Sequence, residues 1–322
     1  MLRGMITALH LIDLDQELPG QRRFISCWVG QTADFSFIVD PGPPATAARL
    51  IAQLEEWLAR QGLDQLDHIL LTHIHLDHGG ATAQILERWP QARVICHPKG
   101  RRHLIDPVRL WEGSRQVLGH KAEVYGEPDP VPEAGLAAED APLPAGLQVV
   151  PTPGHASHHV AFVLGEHLFL GEAAGTFSTL GQGPEVVDYY LRPATPPRFF
   201  LPVAAASLDR LLALNPLPRH LCFAHHGLFS GDVPALLQAA RAQLDLWVNT
   251  MAGWLDRHAQ GVIPEAGPPA EAILPDLAAE LAVRDPHFAR GARLPEDIRE
   301  READFTRQTL RGMLGYLREK QG

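Results

Sequence analysis

Thr72-His73-Ile74-His75-Leu76-Asp77-His78-Gly79-Gly80 is the stretch that decides how this chain is read. Three imidazoles and a carboxylate crowd into six positions, directly after the apolar run Ile69-Leu70-Leu71. Core packing does not call for such a density of polar side chains. Neutral imidazole and ionised carboxylate are the ligands that borderline cations such as zinc, iron and manganese accept. Residues at alternating positions of an extended segment point the same way, so His73 and His75 are placed to grip one ion from one side. Asp77 and His78, where the chain turns into a helix-like segment, are placed to face a second. The competing interpretation is a solvated, histidine-rich turn.

Three later sites have the same form, a histidine or carboxylate that follows an apolar strand and adjoins glycine. They are His155 after Pro153-Gly154, Glu172 after Phe169-Leu170-Gly171, and His225 after Leu221-Cys222-Phe223-Ala224, with the adjacent His226 as its rival. Strand ends on one edge of a sheet lie together in space, so ligands distant in sequence can converge there. Five histidines and two carboxylates then suffice for two metals. Asp40, closing the strand Phe35 to Val39, reads either as a carboxylate that orients a metal-bound histidine or as a plain turn residue. His158 and His159 either line a substrate cleft or serve structural hydrogen bonds.

Outward from these sites, the chain alternates strands and helices. Ile6–Leu14 and Phe24–Val29 read as a hairpin about Pro19-Gly20, and Leu50, Leu54, Trp57 and Leu58 mark a helix over Ala45–Arg60. Further strands are expected at Ile69–Thr72, Val94–His97, Leu147–Val150, Val160–Leu164, His167–Leu170 and Arg219–Gly227, the last ending in the paired histidines His225 and His226. A helix stripe of Ala81, Ile85 and Trp89 ends at Pro90, and another helix covers Pro202–Leu214. Strand and helix in alternation argue for an α/β architecture with covered sheets. Residues 99–147 loosen into a helical and loop insertion, in which the Pro-, Ala- and acid-rich stretch 127–146 has the length of a lid or linker. From Val233 onward only helices are expected, over 233–260, 269–283 and 295–320. The organisation read from this is a domain over 1–230 that carries the metal site and an α-helical C-terminal extension over 231–322.

Whole-chain properties narrow the class. A formal charge of -10 argues against an obligate polyphosphate partner, because nucleic-acid affinity rests on clustered Lys and Arg. Cys27, Cys96 and Cys222 are odd in number and far apart, each in an apolar run, so buried thiols in a reducing compartment are expected. No apolar run approaches a membrane span and the N-terminus lacks a signal-peptide pattern, which predicts a cytoplasmic protein with no membrane partner.

The His-x-His-x-Asp-His pattern at His73 to His78, the Pro153-Gly154-His155 turn, the Gly171-Glu172 corner and the Ala224-His225 end follow one another in the order found in a known family. By these motifs the chain resembles the metallo-β-lactamase superfamily, which includes hydroxyacylglutathione hydrolases, lactonases and ribonuclease Z, over roughly residues 6 to 230. The resemblance implies an αββα sandwich with a dinuclear metal centre at the sheet edge. It implies His73, His75 and His155 as ligands of one ion and Asp77, His78 and His225 as ligands of the other. At the position where the family usually bridges its ions with an aspartate, this chain has Glu172. A carboxylate one methylene longer can bridge, bind a single ion, or alter the metal separation.

The activity implied is hydrolysis by a metal-bridging hydroxide, with Asp77 orienting the nucleophile and shuttling its proton. Two divalent ions are expected, zinc first, with iron or manganese as the alternatives. No Gly-x-Ser-x-Gly elbow appears. Without a secretion signal and with acidic charge, the substrate class that remains is a small ester, thioester or lactone. One rival is an iron-dependent oxidoreductase, sulfur dioxygenase-like or of the diiron oxygen-reducing type. Diiron flavoproteins usually carry glutamate where this chain has His75, and no flavin-binding partner domain is visible. The other rival is a metal-binding protein without catalysis. The helical tail resembles in position the C-terminal helical part of hydroxyacylglutathione hydrolases, and is read as a homodimer surface or a cover for the sandwich edge.

Overall fold

The computed structural model describes residues 4–181, 188–258, 263 and 266–321. Its contacts divide into two compact units, one of residues 1–151, 158–171 and 218–228, the other of residues 152–157, 172–217 and 229–322.

The first unit holds both main sheets. Strands β1 (Ile6–Asp13), β2 (Ser26–Thr32) and β3 (Ser36–Val39) form an antiparallel meander, as the hairpin signal about Pro19-Gly20 predicts. Helix α1 (Ala47–Arg60) then crosses to β4 (His68–Leu70), which pairs parallel to β3. A single turn, α2 (Leu76–Gly79), and α3 (Thr82–Arg88) lead to β5 (Arg93–Ile95), parallel to β4. All four residues of β3 are buried, so both of its faces are covered. The stripe Leu50, Leu54, Trp57 and Leu58 of α1 is buried in turn, and α1 packs beside α3.

Residues 99–147 are more ordered than their composition suggests. Three helices, α4 (Pro98–Ile105), α5 (Val108–Leu118) and α6 (His120–Tyr125), precede the Pro-rich stretch. That stretch is pinned to the unit, because Val131 donates to the Leu104 carbonyl at 2.8 Å, Ala137 donates to that of Val94 at 2.9 Å, and Val131 and Leu136 are buried.

The second sheet begins with β6 (Leu147–Pro151), β7 (Val160–Leu164) and β8 (His167–Gly171), antiparallel to one another. The chain next contributes to the second unit a ribbon of β9 (Thr176–Ser178) with β10 (Tyr190–Arg192), and helix α7 (Leu201–Leu212). It then resumes the first unit with β11 (His220–Phe223), parallel to β8. Trp28, Phe37, Val39 and Leu70 from one sheet and Phe162, Leu164, Phe169 and Cys222 from the other form one buried cluster, the filling of a sandwich. Burial of their apolar area is the dominant stabilising contribution.

The second unit continues with helices only among its described residues beyond 233. These are α8 (Val233–His258), α9 (Pro268–Glu271), α10 (Leu274–Arg284), α11 (Pro286–Ala289) and α12 (Glu296–Gln321). The single helix expected over 269–283 is two, and the expected end of α8 at Gln260 lies outside the described residues. The expected strand to Thr72 stops at Leu70, because the Thr72 N–H turns to the carboxylate of Asp40. Among the described residues no helix is long and apolar enough to cross a membrane. Cys27 and Cys222 are buried, Cys96 is half-buried, and none of the three forms a disulfide; burial pushes the Cys96 thiol up to about 11.

Candidate metal centre

In the first unit the carboxyl ends of β3, β4, β8 and β11 carry, in turn, Asp40, Thr72-His73, Gly171 and Ala224-His225. The sheets are stitched together at this edge. Val160 donates to the Thr72 carbonyl at 2.8 Å, Trp28 Nε1 to the Phe223 carbonyl at 2.9 Å, and Ser26 Oγ to the Ala224 carbonyl at 3.0 Å. Residues as far apart in sequence as Ser26 and Ala224 are thereby held within one rigid rim, on elements rather than on free loops.

Asp40 anchors the rim from beneath. It is buried at φ +54°, a conformation that aspartate tolerates better than most residues. Its Oδ1 accepts from Thr72 N at 2.8 Å and its Oδ2 from Thr72 Oγ1 at 2.7 Å. The hydroxyl has then spent its proton, so Thr72 Oγ1 accepts from His73 Nδ1 at 3.1 Å. That fixes the Nδ1–H tautomer of His73 and leaves the Nε2 lone pair for a cation. His78 stands between carboxylates, its Nδ1 3.4 Å from Asp40 Oδ2 and its Nε2 3.5 Å from Asp77 Oδ2. His225 completes the group with Nε2 3.9 Å from the same Asp77 oxygen, its ring stacked on Phe24 at 4.1 Å.

Ligand atoms of Asp77, His78 and His225 all lie within 4.8 Å of one another, as do those of Asp40, His73 and His78. Donors around one tetrahedral zinc, at about 2.0–2.2 Å from it, stand about 3.3–3.6 Å apart. The set is therefore close to closing on a cation, and it is chemically suited to one, being imidazole nitrogen and carboxylate oxygen throughout. His75 lies beside this group, its ring 4.6 Å from that of His73. His226 directs its backbone N–H to Ser26 Oγ at 3.1 Å and sits at φ +51°.

His155 and Glu172 belong to the second unit and meet there, His155 Nε2 lying 2.9 Å from Glu172 Oε2. His155 Nδ1 is 3.2 Å from the carbonyl of Ala194, which can only accept, so Nδ1 carries a proton and Nε2, in the neutral ring, turns its lone pair to Glu172. A lone pair and a carboxylate at that distance repel unless a proton or a cation is shared between them. This pair also fits a metal.

The family model for the metallo-beta-lactamase superfamily matches residues 20–226. The chain belongs to the metallo-β-lactamase superfamily. A metallo-beta-lactamase fold-containing protein of Sulfurisphaera tokodaii is 29% identical over 205 residues, 59% of this chain and 74% of that protein. A hydroxyacylglutathione hydrolase of Thiobacillus denitrificans is 34% identical over 234 residues, 67% of this chain and 72% of that protein. Among solved structures, a metallo-beta-lactamase family protein of Thermus thermophilus is similar over 97% of this chain and 94% of its own, with a TM-score of 0.59 at 25% identity. The αββα sandwich read from the motifs is the fold of these superfamily neighbours, and the C-terminal helical region is present in the structure.

Sequence reasoning missed several residues that shape this superfamily site. Thr72 relays Asp40 to His73, Phe24 backs His225, and Ser26 ties the end of β11. His159, which the sequence does single out as a cleft-lining or structural histidine, is fully buried, its ring 5.0 Å from that of His73. Gly171 is required there, since at φ +54° a Cβ would lie 2.4 Å from His159 Nε2 and 2.7 Å from Thr72 Oγ1. The one available signal was adjacency, because Thr72 and Gly171 flank ligand-type residues in the sequence.

Proposed function

We propose that this protein is a metal-dependent hydrolase of a small ester, thioester or lactone. The observation that carries the reading is the convergence of Asp77, His78 and His225 beside His73 on a buried sheet edge. Superfamily membership and the likeness to a hydroxyacylglutathione hydrolase support a metallohydrolase of thioester type. In this reading His73, His75 and His155 hold one ion and Asp77, His78 and His225 the other, with Glu172 as the shared or single-ion carboxylate. Zinc suits a nitrogen-rich donor set of this kind, and iron or manganese would also be accepted.

Two divalent cations, when bound, supply a water that is activated near neutral pH and polarise the scissile carbonyl. The chain's own residues do the rest. Asp40, through Thr72, holds His73 with its proton on the side away from the cation. Asp77 is the least enclosed member of its group, its side chain 16% exposed where that of His78 is 1%, so it is the carboxylate that solvent and substrate can reach. It is accordingly assigned to orient the attacking water and take its proton.

The test pairs metal analysis of protein purified without added metal with turnover of a thioester, ester and lactone panel. Chelation is expected to abolish turnover while the far-ultraviolet dichroism persists, and restored zinc, iron or manganese to return it. Turnover that survives complete chelation overturns the reading. Bound iron with oxygen uptake would replace it by oxidoreductase chemistry, and filled sites without turnover across the panel by a metal-binding role.

A further inference from the structure

Within the second unit, a continuous run of short polar contacts leads from the C-terminal helix to the His155–Glu172 pair. His155 is referenced to residues 192–194 through the Ala194 carbonyl, 3.2 Å from Nδ1. Glu172 is referenced to the same segment by its turn. Gly175 closes that turn by donating its N–H to the Glu172 carbonyl at 3.0 Å. At φ +85° Gly175 lies so close to the next strand that a Cβ would stand 2.0 Å from the Arg192 carbonyl oxygen. From there β9 pairs with β10, Thr176 opposite Arg192.

Helix α12 holds the segment in place. Arg192 Nε donates to Glu302 Oε2 at 2.6 Å, and the Tyr190 hydroxyl lies 3.2 Å from the same oxygen. Thr309 Oγ1 donates to the Pro193 carbonyl at 3.1 Å, and Thr195 Oγ1 donates back to the Thr309 carbonyl at 3.0 Å. At Gly312 the helix comes so near that a Cβ would lie 2.2 Å from the Pro196 carbonyl oxygen. Arg192, Glu302, Thr195 and Thr309 are all buried.

A helix that only covered an apolar face would be fastened by apolar contacts, and α12 has those in Leu310, Met313 and Leu314. A buried ion pair adds little net stability over an apolar replacement, because desolvation offsets the attraction. What such a network does supply is fixed geometry. We propose that α12 is a positioning element for the His155–Glu172 pair: through Glu302 and Thr309 it fixes residues 192–195, and these set the ring orientation and tautomer of His155 and the seat of Glu172. The proposal rests on reading His155 and Glu172 as metal ligands.

Glu302→Gln and Thr309→Val, alone and combined, test it in the full-length protein, with Leu281→Ala, a fully buried apolar residue of α10 whose side chain has no part in these hydrogen bonds, as a control for lost packing. Zinc affinity is read by chelator competition, the cobalt-substituted protein by its visible spectrum, and the His155 tautomer by nitrogen-15 imidazole spectra. The positioning variants are expected to bind one zinc equivalent about 10- to 100-fold more weakly, the range typical of outer-shell ligand partners. Their cobalt spectra change, the His155 Nδ1–H assignment is lost, and Thr309→Ser restores the parent values. Leu281→Ala lowers the melting temperature and leaves all three unchanged. The proposal is overturned if Glu302→Gln and Thr309→Val behave as Leu281→Ala does. A His155→Ala variant separates the underlying reading: if it keeps both zinc equivalents at parent affinity, His155 is no ligand and this proposal falls with that assignment.

Discussion

Replacing Asp40 by Asn exchanges one carboxylate oxygen for an NH2 group and leaves the shape of the rim unchanged. Asn is at least as tolerant as Asp of the φ of +54° found here, so the backbone is not strained. One amide oxygen still accepts from Thr72 N, replacing the 2.8 Å bond to Oδ1. The other position now donates, and it faces Thr72 Oγ1, which stood 2.7 Å from a carboxylate oxygen. The hydroxyl must turn and give its own proton to His73 Nδ1, 3.1 Å away. His73 then carries its hydrogen on Nε2, the nitrogen meant for the cation. His78 Nδ1, 3.4 Å from the same oxygen, loses the carboxylate on that side, while Asp77 remains 3.5 Å from its Nε2.

Two effects of different size follow. A hydrogen bond to a charged group is worth about 1.5–3 kcal/mol, and since the amide retains one acceptor the loss of folding stability is about 1–2 kcal/mol. Zinc affinity should fall about 10- to 100-fold, equivalent to about 1.4–2.7 kcal/mol of binding. Chelator competition measures the affinity and nitrogen-15 spectra of the metal-free protein report which His73 nitrogen is protonated. Thr72→Val, which removes the hydroxyl relay, should reproduce the loss of affinity without the tautomer inversion. Parent-like affinity in Asp40→Asn with His73 still protonated on Nδ1 would refute the relay.

The remaining predictions concern the frame around the site. Gly171→Ala forces a Cβ to within 2.4 Å of His159 Nε2 at φ +54°, whereas Gly62→Ala meets nothing within 4 Å at φ +73°. Gly62→Ala should cost about 1 kcal/mol from backbone strain alone, and Gly171→Ala about 1–3 kcal/mol more from overpacking; equal melting temperatures for the two would show that the contact at Gly171 yields freely. His167, at the start of β8, has its imidazole pushed down to about 4 by burial and by the His220 ring stacked on it at 4.6 Å. The unfolded chain takes up this proton near pH 6.5 and the folded one only near 4, so the contribution is complete above about pH 6.5 and is lost as pH falls toward 4. Discounted for partial exposure it amounts to about 1–2 kcal/mol, and His167→Gln should flatten urea-unfolding stability between about pH 7 and about pH 4.5 by that amount; an unaltered slope would place the acid sensitivity elsewhere.

What could be read in the sequence follows from how narrowly chemistry restricts each position. The motif His73 to His78 is legible because few residue types bind a borderline cation and their spacing is tied to one strand end and one turn, and the superfamily and its sandwich follow from the order of the later motifs. Strands β9 and β10 are not legible, since three residues each carry no period, and the pairing of Thr176 with Arg192 joins positions 16 apart. The run Glu296-Asp297-Ile298-Arg299-Glu300-Arg301-Glu302 has the composition of a solvated helix face, yet Arg301 and Glu302 are 5% and 4% exposed. Their burial is decided by Arg192, 110 positions before Glu302, which neutralises that carboxylate while Arg301 takes its other oxygen. The same holds at Asp40, whose two readings differ only in whether Thr72 and His78 lie across from it. Residues whose task is set by their own chemistry can be found in one dimension; those whose task is to hold another residue become visible only once the fold supplies the partner.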